Sequence, residues 1–132
     1  MFTVFKTDKT FLMIKSPIDG KLKHIETIVE YSWTYDDCQI DGSFDFGDQA
    51  ENEKYLKRFR SGELLNLIVQ VKVKALGESG IDILGGCHVK ADNFEADLHE
   101  LAIEHDMKNN ACADLKKAIL SQYETLQKAL SA

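Results

Sequence analysis

Cys87 and His88 stand side by side in the segment LGGCHVK. A cysteine next to a histidine is the raw material of a thiolate–imidazolium nucleophile. The local pattern works against that chemistry. Ile81, Ile83, Gly85, Cys87 and Val89 recur at every second position, as in a strand, and adjacent strand residues point to opposite faces. The expected arrangement is a Cys87 thiol buried with Ile81, Ile83 and Val89, and a His88 ring on the other face with Asp82 and Lys90. An enzyme whose site is assembled from distant residues, with Cys87, His88 and nearby carboxylates, is the alternative function. Gly85-Gly86 fits neither phosphate-loop pattern; a glycine pair late in a strand marks a bulge or a close backbone approach. His24, His88, His99 and His105 are scattered without H-x-x-x-H, and Cys38, Cys87 and Cys112 lack C-x-x-C. No metal, cofactor or disulfide framework is expected, and free thiols suit a reducing cytoplasm.

The carboxylates are more informative. From His24 to Glu53 there are nine acids and no Lys or Arg. The segment before it, to Lys23, has five Lys against two Asp, net +3. The segment after it, Lys54 to Leu76, has six bases against one Glu, net +5. From Gly77 onward ten acids meet five bases, and the whole chain stands at −6. Within the acidic block, Asp36, Asp37, Asp41, Asp45 and Asp48 run through a turn, a strand and a helix start. Their spacing is not that of an EF-hand loop. Asp41 and Asp45 fall on one strand face, where paired carboxylates would act as acid and base or hold Mg²⁺. The reading favoured is a surface that docks a basic partner, because complementary charge speeds encounter and selects partners. Trp33 and Tyr35 precede the acids and are natural anchors, since interface hot spots favour Trp and Tyr. Lys54, Lys57, Arg58 and Arg60 read as a solvated helix face. An acidic chain lacks the basic field that displaces counterions from phosphate, so direct nucleic-acid binding is not expected.

These residues need a scaffold. Thr7-Asp8-Lys9-Thr10 sits between apolar runs and reads as the turn of a short hairpin; Ser16-Pro17-Ile18-Asp19-Gly20 reads as a second turn. Alternation over Ile25–Tyr35 and Ile40–Phe46 predicts a hairpin over 25–46. Leu65–Ala75 and Ile81–Val89 predict another over 65–89, closed by the loop Gly77–Gly80. Asp48 with Glu51 has the form of a capping box opening a helix over 49–60, stopped by Ser61-Gly62. Asp92 with Glu95 caps a helix over 93–106; Lys108-Asn109-Asn110 breaks it, and Asn110 caps the last helix, 110–130. Leu115, Ile119, Tyr123, Leu126 and Leu130 form that helix's apolar stripe.

The class that follows is α+β: an antiparallel sheet of four to six strands, one inserted helix, and two C-terminal helices packed on the sheet. With 132 residues and 44% hydrophobic content, residues 1–132 suffice for one domain. The N-terminus lacks a signal-peptide layout, no run of about 18 apolar residues exists to span a membrane, and a cytoplasmic location is expected. The functional expectation is a non-enzymatic acidic binding protein, of the inhibitor or immunity type. It would dock a basic, nucleic-acid-handling protein through Asp36, Asp37, Asp41, Asp45, Asp48, Trp33 and Tyr35. A homodimer through an exposed sheet edge is a further reading.

Overall fold

The first strand, β1 (Thr3–Lys15), crosses Thr7–Thr10 without a turn. The expected short hairpin there does not form. The segment has no Gly or Pro, and each of its residues pairs with one of Thr27–Glu30 in β2 (Leu22–Tyr35). The turn at Ser16–Gly20 does close this hairpin: Ile18 N–H donates to Ser16 Oγ, and Lys21 N–H donates to Asp19 Oδ1. Asp19 is held below the usual carboxylate range first by that Lys21 backbone bond and then by the Lys23 ammonium.

Residues 1–37 and 48–131 are described in the computed structural model of the chain. The second half of the expected 25–46 hairpin, and with it Asp41 and Asp45, lies outside them. Over Ile28–Trp33, β2 has β1 on one side and β3 (Leu64–Ala75) on the other. The turn Leu76-Gly77, both at positive φ, joins β3 to β4 (Glu78–Lys90). A two-residue turn of this kind matches the strand twist, so Glu78–Gly80 belongs to the strand rather than to a loop. The sheet is an antiparallel meander, β1-β2-β3-β4.

Before β3, α1 spans Gln49–Arg60, as its cap predicts: Asp48 accepts from Ala50 N–H at 2.9 Å. None of its residues is fully buried. After β4 come α2 (Phe94–Glu104) and α3 (Met107–Ser131). The cap of α2 is Asn93, in the left-handed region and without a side-chain bond, rather than the Asp92–Glu95 box. The chain breaks at Asp106, φ 54°, not at Lys108–Asn110. Asp106 O accepts from Asn110 N–H as a first-turn bond, and Asp106 Oδ1 accepts from Asn109 Nδ2, so α3 opens after Asp106 and not at Asn110.

The core lies between one sheet face and the last two helices. Val29, Leu67, Val69, Val71 and Val73 meet Leu98 and Ala102 of α2 and Met107, Ala111 and Leu115 of α3. Spacings of four place these helix residues on single faces. The stripe of α3 stops short of its expected length: Leu126 and Leu130 are exposed, because the helix outruns the sheet. α3 also guards the edge of β4, where Asp114 Oδ2 accepts from Ile81 N–H and Asn110 Nδ2 donates to Asp82 Oδ2.

The glycine pair reverses the face pattern of β4. Leu67 pairs with Cys87 but Val69 pairs with Leu84, so Gly85 and Gly86 form a bulge. Gly86 has φ 65°, a conformation that L side chains rarely adopt. Gly80, Asp82 and Leu84 therefore share the helix-covered face with Cys87 and Val89. Ile81 and Ile83 turn to the open face and are exposed. The expected grouping of Ile81 and Ile83 with Cys87, and of Asp82 with His88, fails because an extra residue shifts the period by one.

Candidate binding surface

The end of β2 carries the two aromatic residues expected to anchor a partner. Trp33 and Tyr35 share the helix side of the sheet, two residues apart. Their rings meet edge to face at 5.3 Å, and Phe94, the first residue of α2, meets Trp33 in the same way at 5.1 Å. Such pairs contribute beyond the area they bury. Trp33 is half-buried in this ladder, while Tyr35, at its outer end, is 60% exposed. Trp33 Nε1 has no acceptor among the described residues.

The neighbouring acids divide by role. Asp36 N–H donates to Asn66 O, and Asp36 Oδ2 accepts from Gly86 N–H at 2.8 Å. Asp36 thus spans from β2 across β3 and holds the bulge of β4. Asp37 is exposed. Asp48 is committed to capping α1. The structure brings Trp33, Tyr35, Asp36 and Asp37 together at one end of the sheet. Asp48 serves a separate element, and Asp41 and Asp45 lie outside the described residues.

Beyond Phe94 the surface becomes strongly acidic. Asp92, Glu95, Asp97, Glu100, Glu104 and Asp106 fall within fifteen residues that hold no Lys or Arg. None of the six is in an ion pair among the described residues. A finer division of the charge count would have found them. Averaging from Gly77 to the last residue mixed this run with the lysines of α3.

Four of these carboxylates, Asp92, Asp97, Glu100 and Glu104, wall a cleft of about 590 Å³ between α2 and α1. The opposite wall carries Tyr55 and Arg58 of α1 with His88 and Lys90 of β4. Arg58 is engaged by Glu63, 3.1 Å from its Nε, and lies over the Tyr55 ring. The cleft is therefore net negative, with an aromatic ring on one side. It suits a Lys or Arg side chain, which carboxylates and a ring face both attract.

His88 anchors α1 to the sheet. Its Nδ1 is 3.1 Å from Tyr55 Oη, and Phe59 meets its ring edge to face at 4.8 Å. Burial pulls the His88 pKa down, and the Asp36 carboxylate opposes the shift. Cys87 pairs with Leu67 on the helix side and His88 with Asn66 on the other, so the two side chains diverge and form no nucleophilic dyad. The Cys87 thiol is buried, donates to Leu84 O at 3.4 Å, and is pushed up in pKa by that burial.

No group of three or more His, Cys, Asp or Glu able to hold a metal ion is found among the described residues. No helix there is long and apolar enough to cross a membrane. No family model, no curated protein and no solved structure matches the chain.

Proposed function

We propose that the chain is a non-enzymatic binding protein that docks a basic protein partner in a reducing, cytoplasmic compartment. The observation that supports this most directly is the cleft whose α2 wall carries four carboxylates. It adjoins the ladder Tyr35–Trp33–Phe94, because Asp92 and Asn93 of the cleft lead into Phe94. Basic side chains of the partner enter the cleft, and an apolar group packs on Tyr35. Relative to the expected docking hairpin, Asp36 to Asp48, this reading centres the surface on α2, with Tyr35 and Asp37 at its margin. Asp36 acts from below, by shaping β4.

Affinity capture from host lysate tests this reading. Wild type is compared with Glu100→Lys/Glu104→Lys, and with Glu53→Lys/Glu124→Lys, which changes net charge equally away from the cleft. One basic protein should be enriched by wild type and by the second variant. It should be lost with the first variant and at high salt, which screens surface charge. Equal loss from both double variants would mean that only net charge matters, and would overturn the reading.

A further inference from the structure

Helices α2 and α3 cover one face of the sheet. Among the described residues, the other face carries only α1, which stacks on His88 and Leu64 at one end. The register assigns the rest of this face by position. β1 presents Val4, Phe11 and Met13, and β4 presents Ile81 and Ile83. Between them β2 presents Glu26, Ile28 and Glu30, and β3 presents Lys72 and Lys74. The apolar members are exposed on a large scale: Phe11 65%, Ile83 54% and Ile28 42%. Apolar side chains this exposed, interleaved with paired charges on one sheet face, mark an interaction site.

We propose that this face is the interface of a two-fold dimer of the chain, sheet against sheet. The charge layout selects a second copy. Glu26 and Glu30 stand in the β2 column and Lys72 and Lys74 in the β3 column, while Lys9 of β1 is taken up by Glu26. A two-fold axis lying in the interface, parallel to the strands and between β2 and β3, sets each column of one copy against the opposite column of the other. Glu30 then faces Lys72 of the second copy, and Lys72 faces its Glu30. The same rotation keeps each position along the strands, so Ile83 of one copy meets Val4 of the other and Ile81 meets Thr7. Each contact is made twice, as an isologous interface requires.

Within one copy Glu30 already binds Lys74 at 2.6 Å, and Lys72 enters no ion pair among the described residues. The second copy thus supplies the missing carboxylate for an unmatched cation. Four strands spaced about 4.8 Å apart, over a length of about 25 Å, give on the order of 1,000 Å² for the two copies, the size at which a stable dimer becomes reasonable.

Sedimentation equilibrium of the full chain across a range of concentrations tests this with three proteins: wild type, Glu30→Lys and Lys72→Glu. Wild type should be a dimer. Each single reversal should weaken dimerisation by at least about tenfold, because like charges then meet twice. An equimolar mixture of the two variants should recover dimerisation, since every reversed side chain then meets its opposite. That recovery also shows both variants to be folded. Ile83→Asp should give a monomer with an unchanged circular dichroism spectrum. A monomeric wild type overturns the proposal, as does a dimer indifferent to the reversals. A mixture that fails to recover also overturns it.

Discussion

Gly80→Ala is the substitution that the packing of α3 on β4 forbids most strongly. A Cβ at Gly80 would meet Ala111 O and Leu115 N and would lie 2.9 Å from Leu115 Cα. All three are backbone atoms of α3, so no rotamer change makes room. Carbon atoms pack best at roughly 3.5–4.0 Å, and the helix would have to retreat by about 1 Å to approach that separation. The retreat would loosen Ala111 and Leu115, both fully buried. It would also stretch the bonds from Ile81 N–H to Asp114 and from Asn110 to Asp82. Overpacking typically costs about 1–3 kcal/mol, and the rigidity of the obstacle puts Gly80→Ala at the top of that range. With an unfolding entropy of about 2.1 cal/mol/K per residue, about 3 kcal/mol lowers Tm by about 10 °C in a chain of this length. Thermal unfolding followed by circular dichroism reads the shift, with Ser79→Ala on the open face as a near-neutral control. Adding Leu115→Ala should give no rescue, because its side chain is not the obstacle. A Tm for Gly80→Ala within about 2 °C of wild type would refute the seating of α3 on β4.

Asp36→Ala removes the acceptor of Gly86 N–H, and loss of a bond to a charged group should cost about 2 kcal/mol, read as a lower urea midpoint with unchanged slope. The same variant should lower the His88 pKa further, measured by NMR titration, since the Asp36 carboxylate is what opposes the effect of burial. His88 itself titrates below its usual 6.5 in the folded chain, so the folded state resists its protonation. Stability from this source is complete above pH 6.5 and falls as the pH drops below it; His88→Phe should remove that part of the acid sensitivity, and an identical pH profile for the two proteins would contradict the assignment. Cys87 should react with iodoacetamide only on unfolding, because its thiol is buried and raised in pKa; rapid labelling of the native protein, traced by mass spectrometry, would revive the enzyme reading.

Much of the scaffold is legible in the sequence where one strong local rule acts alone. Leu65–Ala75 alternates so regularly that strand, face and core follow at once. Asp48 caps α1 where its type and position say it should. The misreadings occur where one residue changes the phase or where a pairing partner overrides local polarity. Gly85-Gly86 was recognisable as a bulge, yet the reversal of Ile81 and Ile83 depends on which residue β3 leaves unpaired. Thr7–Thr10 looks like a turn until β2 supplies a partner for each residue. The break before α3 falls at Asp106 because a short polar side chain tolerates positive φ there, although Asn109-Asn110 offered the more familiar signal. For the proposed surface, Trp33 and Tyr35 stand out in the sequence as aromatic residues near the acids, but Phe94 and the α2 carboxylates join them only through the fold. Asp36 and Asp37 are adjacent in sequence and separate in role, a distinction made by one hydrogen bond to Gly86 fifty residues away.

The proposed docking surface is tested most directly by titrating the ¹⁵N-labelled protein with a short Arg- and Lys-rich peptide and following its amide and indole signals. Binding in the cleft should shift Asp97, Glu100 and Glu104 together with Phe94 and the Trp33 indole, while the α3 residues beyond Tyr123 stay in place. Small shifts spread over every acidic segment, with the Trp33 indole unmoved, would contradict the assignment of this surface.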